Sequence, residues 1–459
     1  MPTHNSDARE RLWLWGLFAC YAAGAVACLG LRPLWLDEVI QLIATTSRTV
    51  NEFMLGMGGR NPGAAPLGYL TQRPFVLAGG VSALWARFPS LVFSLLACWS
   101  LLRLCQELGL AKIAPLATGL FMVLPLQFRY AIEGRPYAQA LCFSLLAMLA
   151  FLKFDRAPGW RTVFLFVLAT VIAVYTQPYA ILSVCGFVLW AALNHARSRR
   201  WTRAALGPAC VLVAALAFLP WYLLEKRNWA TGIQEHGLPH FHWTLSLAED
   251  IFKGVAGDGF ACSAAFVLLV FAGFLAKPAQ RGLLLSSALF SIAGALAGDM
   301  FSNYFFAARQ ILFALPALTI LAAIGLVQLY EKNKIAATLG VVVLLGAAFQ
   351  KDVTMQTDAK EDWAAASRAL SGAVQAGRCL EVVPADALAL YAVFAPEVTA
   401  NVCGATPKSR VALVYHLYTP PADLARAKDA LRSSGYTPTS TISAGGTTIT
   451  LEERAKIEK

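Results

Sequence analysis

Of the 459 residues, 58% are hydrophobic and only 14% are charged, against about 25% charged in an ordinary soluble domain, so the chain reads as a polytopic membrane protein. The net charge of +11 is spread over short loops between apolar runs, which suits membrane orientation and argues against a nucleic-acid partner. The ten cysteines include no CxxC and no Cys/His cluster, and so show no metal-ligand spacing; most (Cys20, Cys28, Cys98, Cys142, Cys185, Cys210) sit singly in apolar stretches as small core residues.

Eleven segments are apolar enough to be taken as spans, some of them shorter than the ~20 residues of a full crossing: 12–31, 87–105, 113–128, 137–153, 161–175, 178–194, 204–222, 259–276, 282–298, 309–329 and 335–349. The first is longer than a signal-peptide core and lacks a small-residue cleavage site, so it is read as a span. With the N-terminus in the cytoplasm, that side receives Arg9 and Arg11, Arg103 and Lys112, and Lys153, Arg156 and Arg161. It also receives Arg197, Arg199, Arg200 and Arg203, Lys277 and Arg281, and Lys332 and Lys334. Every second short loop is thus basic, as orientation by positive charge requires.

The opposite, non-cytoplasmic face receives the long first loop, 32–86, in which the 66–80 stretch is broken by Gln72-Arg73-Pro74. A Pro beside an Arg disfavours a full crossing, so interfacial or re-entrant helices are expected there. The loops 129–136, 223–258 and 299–308 follow on the same side, and then the tail, 350–459. Trp363, Ala366, Leu370 and Val374 recur in the tail at helical spacing, and 379–383 and 411–415 read as buried strands. A helix over 423–433 with Gly435 as its stop, and a hairpin over 442–451 around Gly445-Gly446, complete a small soluble α/β domain. The expected division is a transmembrane domain over 1–349 and a periplasmic domain over 350–459.

Three polar clusters fall on the same, non-cytoplasmic side. Asp37-Glu38 lies just past the first span, beside Trp35; Arg129-Tyr130-Ala131-Ile132-Glu133-Gly134-Arg135-Pro136-Tyr137 separates the third and fourth spans; Asn303-Tyr304 to Arg309 opens the tenth. An ionisable pair at that depth is costly unless it faces protein or water, which makes it a functional candidate. A carboxylate can take a proton from an attacking hydroxyl while Arg and Tyr hold a phosphate. The bland alternative for Arg135 and Arg309 is snorkelling to the interface.

These motifs, in this order, resemble the GT-C glycosyltransferases of the protein O-mannosyltransferase and aminoarabinose-transferase type. Trp35-Leu36-Asp37-Glu38 is similar to that family's Asp-Glu motif, Ala65-Pro66-Leu67-Gly68-Tyr69 to its His-Pro-Pro-Leu-Tyr segment, and Arg87-Phe88-Pro89-Ser90 to the start of its second span. Glu133-Gly134-Arg135-Pro136-Tyr137 is similar to its Glu-Ala-Arg-x-Tyr, Tyr304 to Leu315 to the start of a late span, and Glu361-Asp362-Trp363 to the Asp-Trp that begins its tail domain. The family's His is replaced near Ala64, and its common His-Tyr stands here as Gln177-Pro178-Tyr179.

The resemblance implies an inverting transferase that uses a polyprenyl-phosphate-linked sugar at the periplasmic face of the inner membrane, with a lipid, glycan or protein acceptor. Asp37 would be the general base, and Glu38 would orient it or ligate a metal. Arg135, Arg309, Tyr137 and Tyr304 would hold the donor phosphate, and Glu133 and Tyr69 would bind substrate. No cofactor is required; a divalent metal has no second ligand set to support it. The rival class is a transporter or lipid-linked-sugar flippase, but such proteins place charge at the bilayer midplane, often in repeated halves. Here the charges gather at one surface, no repeat is seen, and a globular tail follows. Cys379 and Cys403, the only cysteines of the tail, are expected to pair if the tail is periplasmic.

Overall fold

A backbone in hydrocarbon must satisfy its N–H and C=O groups internally, and a helix does so within one segment. The computed structural model describes residues 4–58, 61, 64–236, 244–256, 260–302, 307–357, 361–404 and 408–454, and all eleven expected segments fall on helices. Among the described residues, eight helices are long and apolar enough to cross a membrane alone: Leu12–Leu29, Ala83–Glu107, Tyr137–Arg156, Ala180–Arg197, Trp201–Lys226, Arg281–Ser302, Ala308–Lys332 and Lys334–Thr357. The third expected span is instead a pair, Ala111–Val123 and Pro125–Ala131, bent by 70°. Pro125 accounts for the break, because a proline pushes the preceding residue out of the helical region, and Leu124 stands extended at φ −70°, ψ 128°. Trp160–Thr176 and Phe260–Leu275 are apolar but short, at 17 and 16 residues.

The chain folds into two compact units. The first comprises 1–29, 61–72 and 87–356. Its helices Ala308–Lys332 and Tyr137–Arg156 are 83% and 72% buried over their most apolar stretches, whereas Leu12–Leu29, Trp201–Lys226 and Lys334–Thr357 are only 17% buried. The first two therefore form the centre, and the outer three expose Trp13, Leu212 and Val342 as lipid-facing side chains. A Cβ on Gly273 or Gly325 would fall 1.9 or 2.0 Å from the carbonyl oxygen of Leu321 or Leu269. Helix Phe260–Leu275 thus meets helix Leu315–Lys332 backbone to backbone, as small residues permit in membrane helices.

The second unit comprises 30–60, 73–86 and 357–459. It differs from the division expected at residue 350, and the reason is a shared core. Leu34, Val39, Leu42, Val76 and Ala86 from the first loop pack with Trp363, Leu370, Leu380, Tyr391, Val414 and Ile449 from the tail. Within the long loop the chain forms helices Leu36–Thr45, Val50–Gly58 and Pro66–Gly79. The tail sheet has strands β1 (Cys379–Val383), β2 (Arg410–His416), β3 (Tyr436–Ala444) and β4 (Thr447–Arg454), in the spatial order β1-β2-β4-β3. β1 and β2 run parallel, with Cys379 opposite Val411, and the other pairs are antiparallel. Helix Trp363–Gln375 packs on this sheet's apolar face through Ala366 and Leu370, and its N-cap is Asp362, whose carboxylate accepts from the Ala365 N–H at 2.8 Å. The hairpin turns at Gly445 and Gly446, both at positive φ (54° and 79°), where glycine alone is unstrained. It is longer than the expected 442–451 because β3 is an edge strand, exposed and largely polar between its two ends, with no apolar alternation to announce it. Cys379 and Cys403 are bonded in this unit, with Cα atoms 5.0 Å apart.

Candidate active site

The acidic pair opens helix Leu36–Thr45. Trp35 is the extended N-cap residue, and its N–H donates to Glu38 Oε2 at 3.2 Å. Successive residues on a helix point about 100° apart, so the two acids part ways: Glu38 is wholly buried and Asp37 only partly so. The helix's free N–H groups favour negative charge at this end. Leu36 N–H donates to Glu361 Oε2 at 2.7 Å, so a carboxylate 325 residues away in sequence closes the first turn. Glu361, itself buried, also accepts from Trp363 Nε1 at 2.9 Å and from the Tyr418 hydroxyl at 2.5 Å. Loss of water around its hydroxyl, the bond to Glu361 and the nearby charge of Asp37 push the Tyr418 phenol above its ordinary pKa, although the side chain as a whole is 55% exposed. His416 stacks on Trp363 with ring centroids 4.3 Å apart, and burial lowers its pKa against the opposing pull of Glu361. At the far end of the helix, Arg73 Nη1 donates to the Thr45 carbonyl at 2.9 Å.

The first unit carries the other polar clusters. Arg129, at the end of the bent pair, forms an ion pair with the buried Glu133 at 3.1 Å. Arg135 is 7% exposed and lies 5.9 Å from the centre of the Tyr137 ring, while Tyr137 packs on Tyr130 at 4.6 Å. With its amide turned to satisfy its neighbours, Asn61 accepts from Arg135 Nη2 at 3.2 Å, Arg135 Nη1 at 3.3 Å and the Tyr69 hydroxyl at 2.6 Å. The 133–137 turn is held from two sides. Gln72 donates to the Gly134 carbonyl at 3.0 Å, and the Ser90 hydroxyl donates to the Arg135 carbonyl at 3.1 Å. Helix Pro66–Gly79 approaches so closely that a Cβ on Gly68 would lie 2.3 Å from Pro136 Cβ.

Arg309 sits in the 3₁₀ turn Ala308–Ala314, within electrostatic range of Tyr130 and of Asp299. Asp299 is wholly buried, and its Oδ1 accepts from the Tyr179 hydroxyl at 2.6 Å and from Gln310 Nε2 at 2.8 Å. That pair of bonds pins the residue next to Arg309.

Of the sequence-derived candidates, the first unit thus joins Tyr69 to Arg135 through Asn61, sets Tyr137 beside Arg135, and holds Glu133 and Arg309 around Arg129 and Tyr130. The second unit holds Asp37 and Glu38. Tyr304 lies outside the described residues. Among the described residues, no three His, Cys, Asp or Glu side chains converge to hold a metal ion. Reading the sequence missed Asn61, Asp299, Gln310 and Tyr418. Asp299 alone carried a signal, an acid at the edge of an apolar run.

Neither a protein-family model nor a curated protein matches this sequence. Solved structures do. ArnT from Cupriavidus metallidurans in its apo state superposes with a TM-score of 0.61 at 14% identity, over 97% of this chain and 98% of that one. The same protein bound to undecaprenyl phosphate gives 0.57 at 15% identity over the same shares. The fold is therefore the one seen in these ArnT structures. The archaeal oligosaccharyltransferase AglB from Archaeoglobus fulgidus, in complex with an inhibitory peptide and a dolichol-phosphate, shares it at 9% identity with a TM-score of 0.53, over 98% of this chain and 75% of that one. The likeness takes in nearly the whole of this chain, its apolar helices and its tail.

Proposed function

We propose that this GT-C protein is an inverting glycosyltransferase that moves a sugar from a polyprenyl-phosphate carrier to a hydroxyl-bearing acceptor, working at the periplasmic face of the inner membrane. The supporting observation is the likeness over nearly the whole chain to a structure of ArnT bound to undecaprenyl phosphate. In this reading the acceptor oxygen bonds to the anomeric carbon from the side opposite the phosphate. The bond from that carbon to the phosphate oxygen breaks, its electron pair leaves with the phosphate, and the acceptor proton passes to Asp37. Asp37 suits the part because it is the partly exposed acid of the pair at a helix start, whereas Glu38 is wholly buried and accepts from the Trp35 N–H.

Arg135 with Tyr137, and Arg309 with Tyr304, meet the charge that develops on the leaving phosphate. A phosphodiester-type group leaves as a stabilised anion, so no general acid is required. Glu133 and Tyr69 line the substrate side, and the acceptor is a lipid, a glycan or a protein.

The test is incubation of detergent-purified protein with undecaprenyl phosphate carrying ¹⁴C-labelled hexoses or pentoses, with envelope lipids, glycans and proteins as acceptors. Label should leave the carrier, and Asp37→Asn should slow this by roughly 10²–10⁴-fold, the usual worth of a general base, while still binding undecaprenyl phosphate. Movement of intact donor across a vesicle bilayer without bond cleavage would instead establish a transporter.

A further inference from the structure

The tail contributes a carboxylate to the helix that bears Asp37, and its chemistry goes beyond gluing two segments together. Glu361 accepts three hydrogen bonds, with Oε2 taking the Leu36 N–H (2.7 Å) and Trp363 Nε1–H (2.9 Å) and Oε1 taking the Tyr418 hydroxyl (2.5 Å). Only the ionised acid can accept at both oxygens without donating; Glu361 is 7% exposed and its bond to Trp363 is buried, whereas Tyr418, 55% exposed, reaches it from the surface. Such charge-assisted bonds are roughly twice as strong as neutral ones.

The three donors fix three things at once. The Leu36 N–H belongs to the residue immediately before Asp37, so this bond sets the direction of the turn from which Asp37 projects. Trp363, fully buried and stacked on His416, locks the carboxylate to the tail's core. Tyr418, whose phenol lies within electrostatic range of Asp37, is held with its proton committed to Glu361. We infer that Glu361 and Tyr418 are positioning residues for Asp37, built into the tail to hold the catalytic turn in register. The inference rests on the proposed role of Asp37 as base.

Glu361→Gln, Tyr418→Phe, the double variant and Asp37→Asn decide it. Each is purified in full-length form and measured for transfer from the ¹⁴C-sugar undecaprenyl phosphate that the wild type turns over, for binding of undecaprenyl phosphate, and for thermal unfolding. A misplacement near 1 Å costs on the order of 10²-fold in rate, and removing one of three bonds should cost less. Tyr418→Phe should therefore lower kcat about tenfold, with undecaprenyl phosphate affinity and unfolding close to wild type. Glu361→Gln should lower kcat further. The double variant should fall no lower than Glu361→Gln, since both changes act through one carboxylate.

If Asp37→Asn is inactive while Tyr418→Phe keeps kcat within twofold of wild type, the positioning role is wrong and the base survives. If Tyr418→Phe loses affinity and unfolding temperature in step with kcat, the contact is structural and the inference is again overturned. If Asp37→Asn itself turns over normally, it is the base assignment that fails, and positioning falls with it. Should Glu361→Gln fail to fold, Tyr418→Phe alone separates these outcomes by the same readings.

Discussion

Gly68→Ala is a one-carbon change whose consequence can be worked from geometry. The added Cβ would stand 2.3 Å from Pro136 Cβ, 3.2 Å from its Cγ and 3.4 Å from its Cα. Carbon atoms rest about 3.5–4.0 Å apart, so the two segments must separate by about 1 Å or more. The proline ring cannot rotate out of the way. Gln72 and Ser90 tie this turn to its neighbours, and Asn61 links Tyr69 to Arg135 across the same contact. The displacement is therefore passed to the predicted phosphate ligand. Overpacking of this kind costs roughly 1–3 kcal/mol, and a shift of ~1 Å at a reacting group costs about 10²-fold in rate. Gly346→Ala is the control: it lies in helix Lys334–Thr357 with nothing within 4 Å of the added carbon, and alanine is favoured over glycine there by about 0.5–1 kcal/mol. Turnover of undecaprenyl-phosphate sugar and thermal unfolding should fall for Gly68→Ala and hold for Gly346→Ala. If Gly68→Ala works within threefold of wild type, the close approach does not set the position of Arg135.

Arg135→Ala and Arg309→Ala should each raise the donor concentration needed for half-maximal rate more than the acceptor's, and Lys should restore only part of the loss, because a point charge lacks the two-pronged guanidinium. Unchanged donor dependence in both would favour arginines that merely reach for the interface. Asp299→Ala removes the acceptor of the Tyr179 hydroxyl and the Gln310 amide, and should lower the unfolding temperature and weaken donor use through the neighbouring Arg309; unchanged unfolding and donor dependence would remove Asp299 from the site. Reducing the bond between Cys379 and Cys403, 24 residues apart, should lower tail stability by roughly 3–4 kcal/mol on the chain-entropy view. Non-reducing peptide mapping after alkylation at lysis checks it, and two free thiols would refute the bridge.

Hydropathy made the membrane helices legible, because lipid leaves apolar segments no alternative to helix. The buried strands β1 and β2 were legible for a similar reason, their residues being almost wholly apolar. What lay beyond reach was long-range. No local pattern says that Leu34, Val39 and Leu42 bury themselves against Trp363 and Tyr391, since any apolar partner would satisfy the same periodicity. Asp299 shows the same limit at a single side chain. Reading the apolar run to 298 left this acid in a loop, whereas it sits inside helix Arg281–Ser302. An acid can remain there because Tyr179 and Gln310 arrive from elsewhere in the chain to bind it. Tyr179 itself belongs to the stretch in which this sequence departs from the family's His-Tyr.

The pair Asp37-Glu38 marks how far a motif alone can go. As a sequence the two acids are equivalent, and either could be assigned the proton transfer. A helix beginning at Leu36 makes them unequal, since one turn of backbone cannot point neighbours the same way. Val39 and Leu42 anchor the inner face of that helix in the core, and the rotation that buries them carries Glu38 inward with them. Glu38 there accepts the Trp35 N–H that the helix start leaves over, which is the work of an N3 glutamate. Asp37, one position earlier, is turned away from that core and keeps access to its surroundings. The choice of base thus follows from where the apolar stripe of one ten-residue helix falls, and that stripe is set by a core completed more than three hundred residues later in the chain.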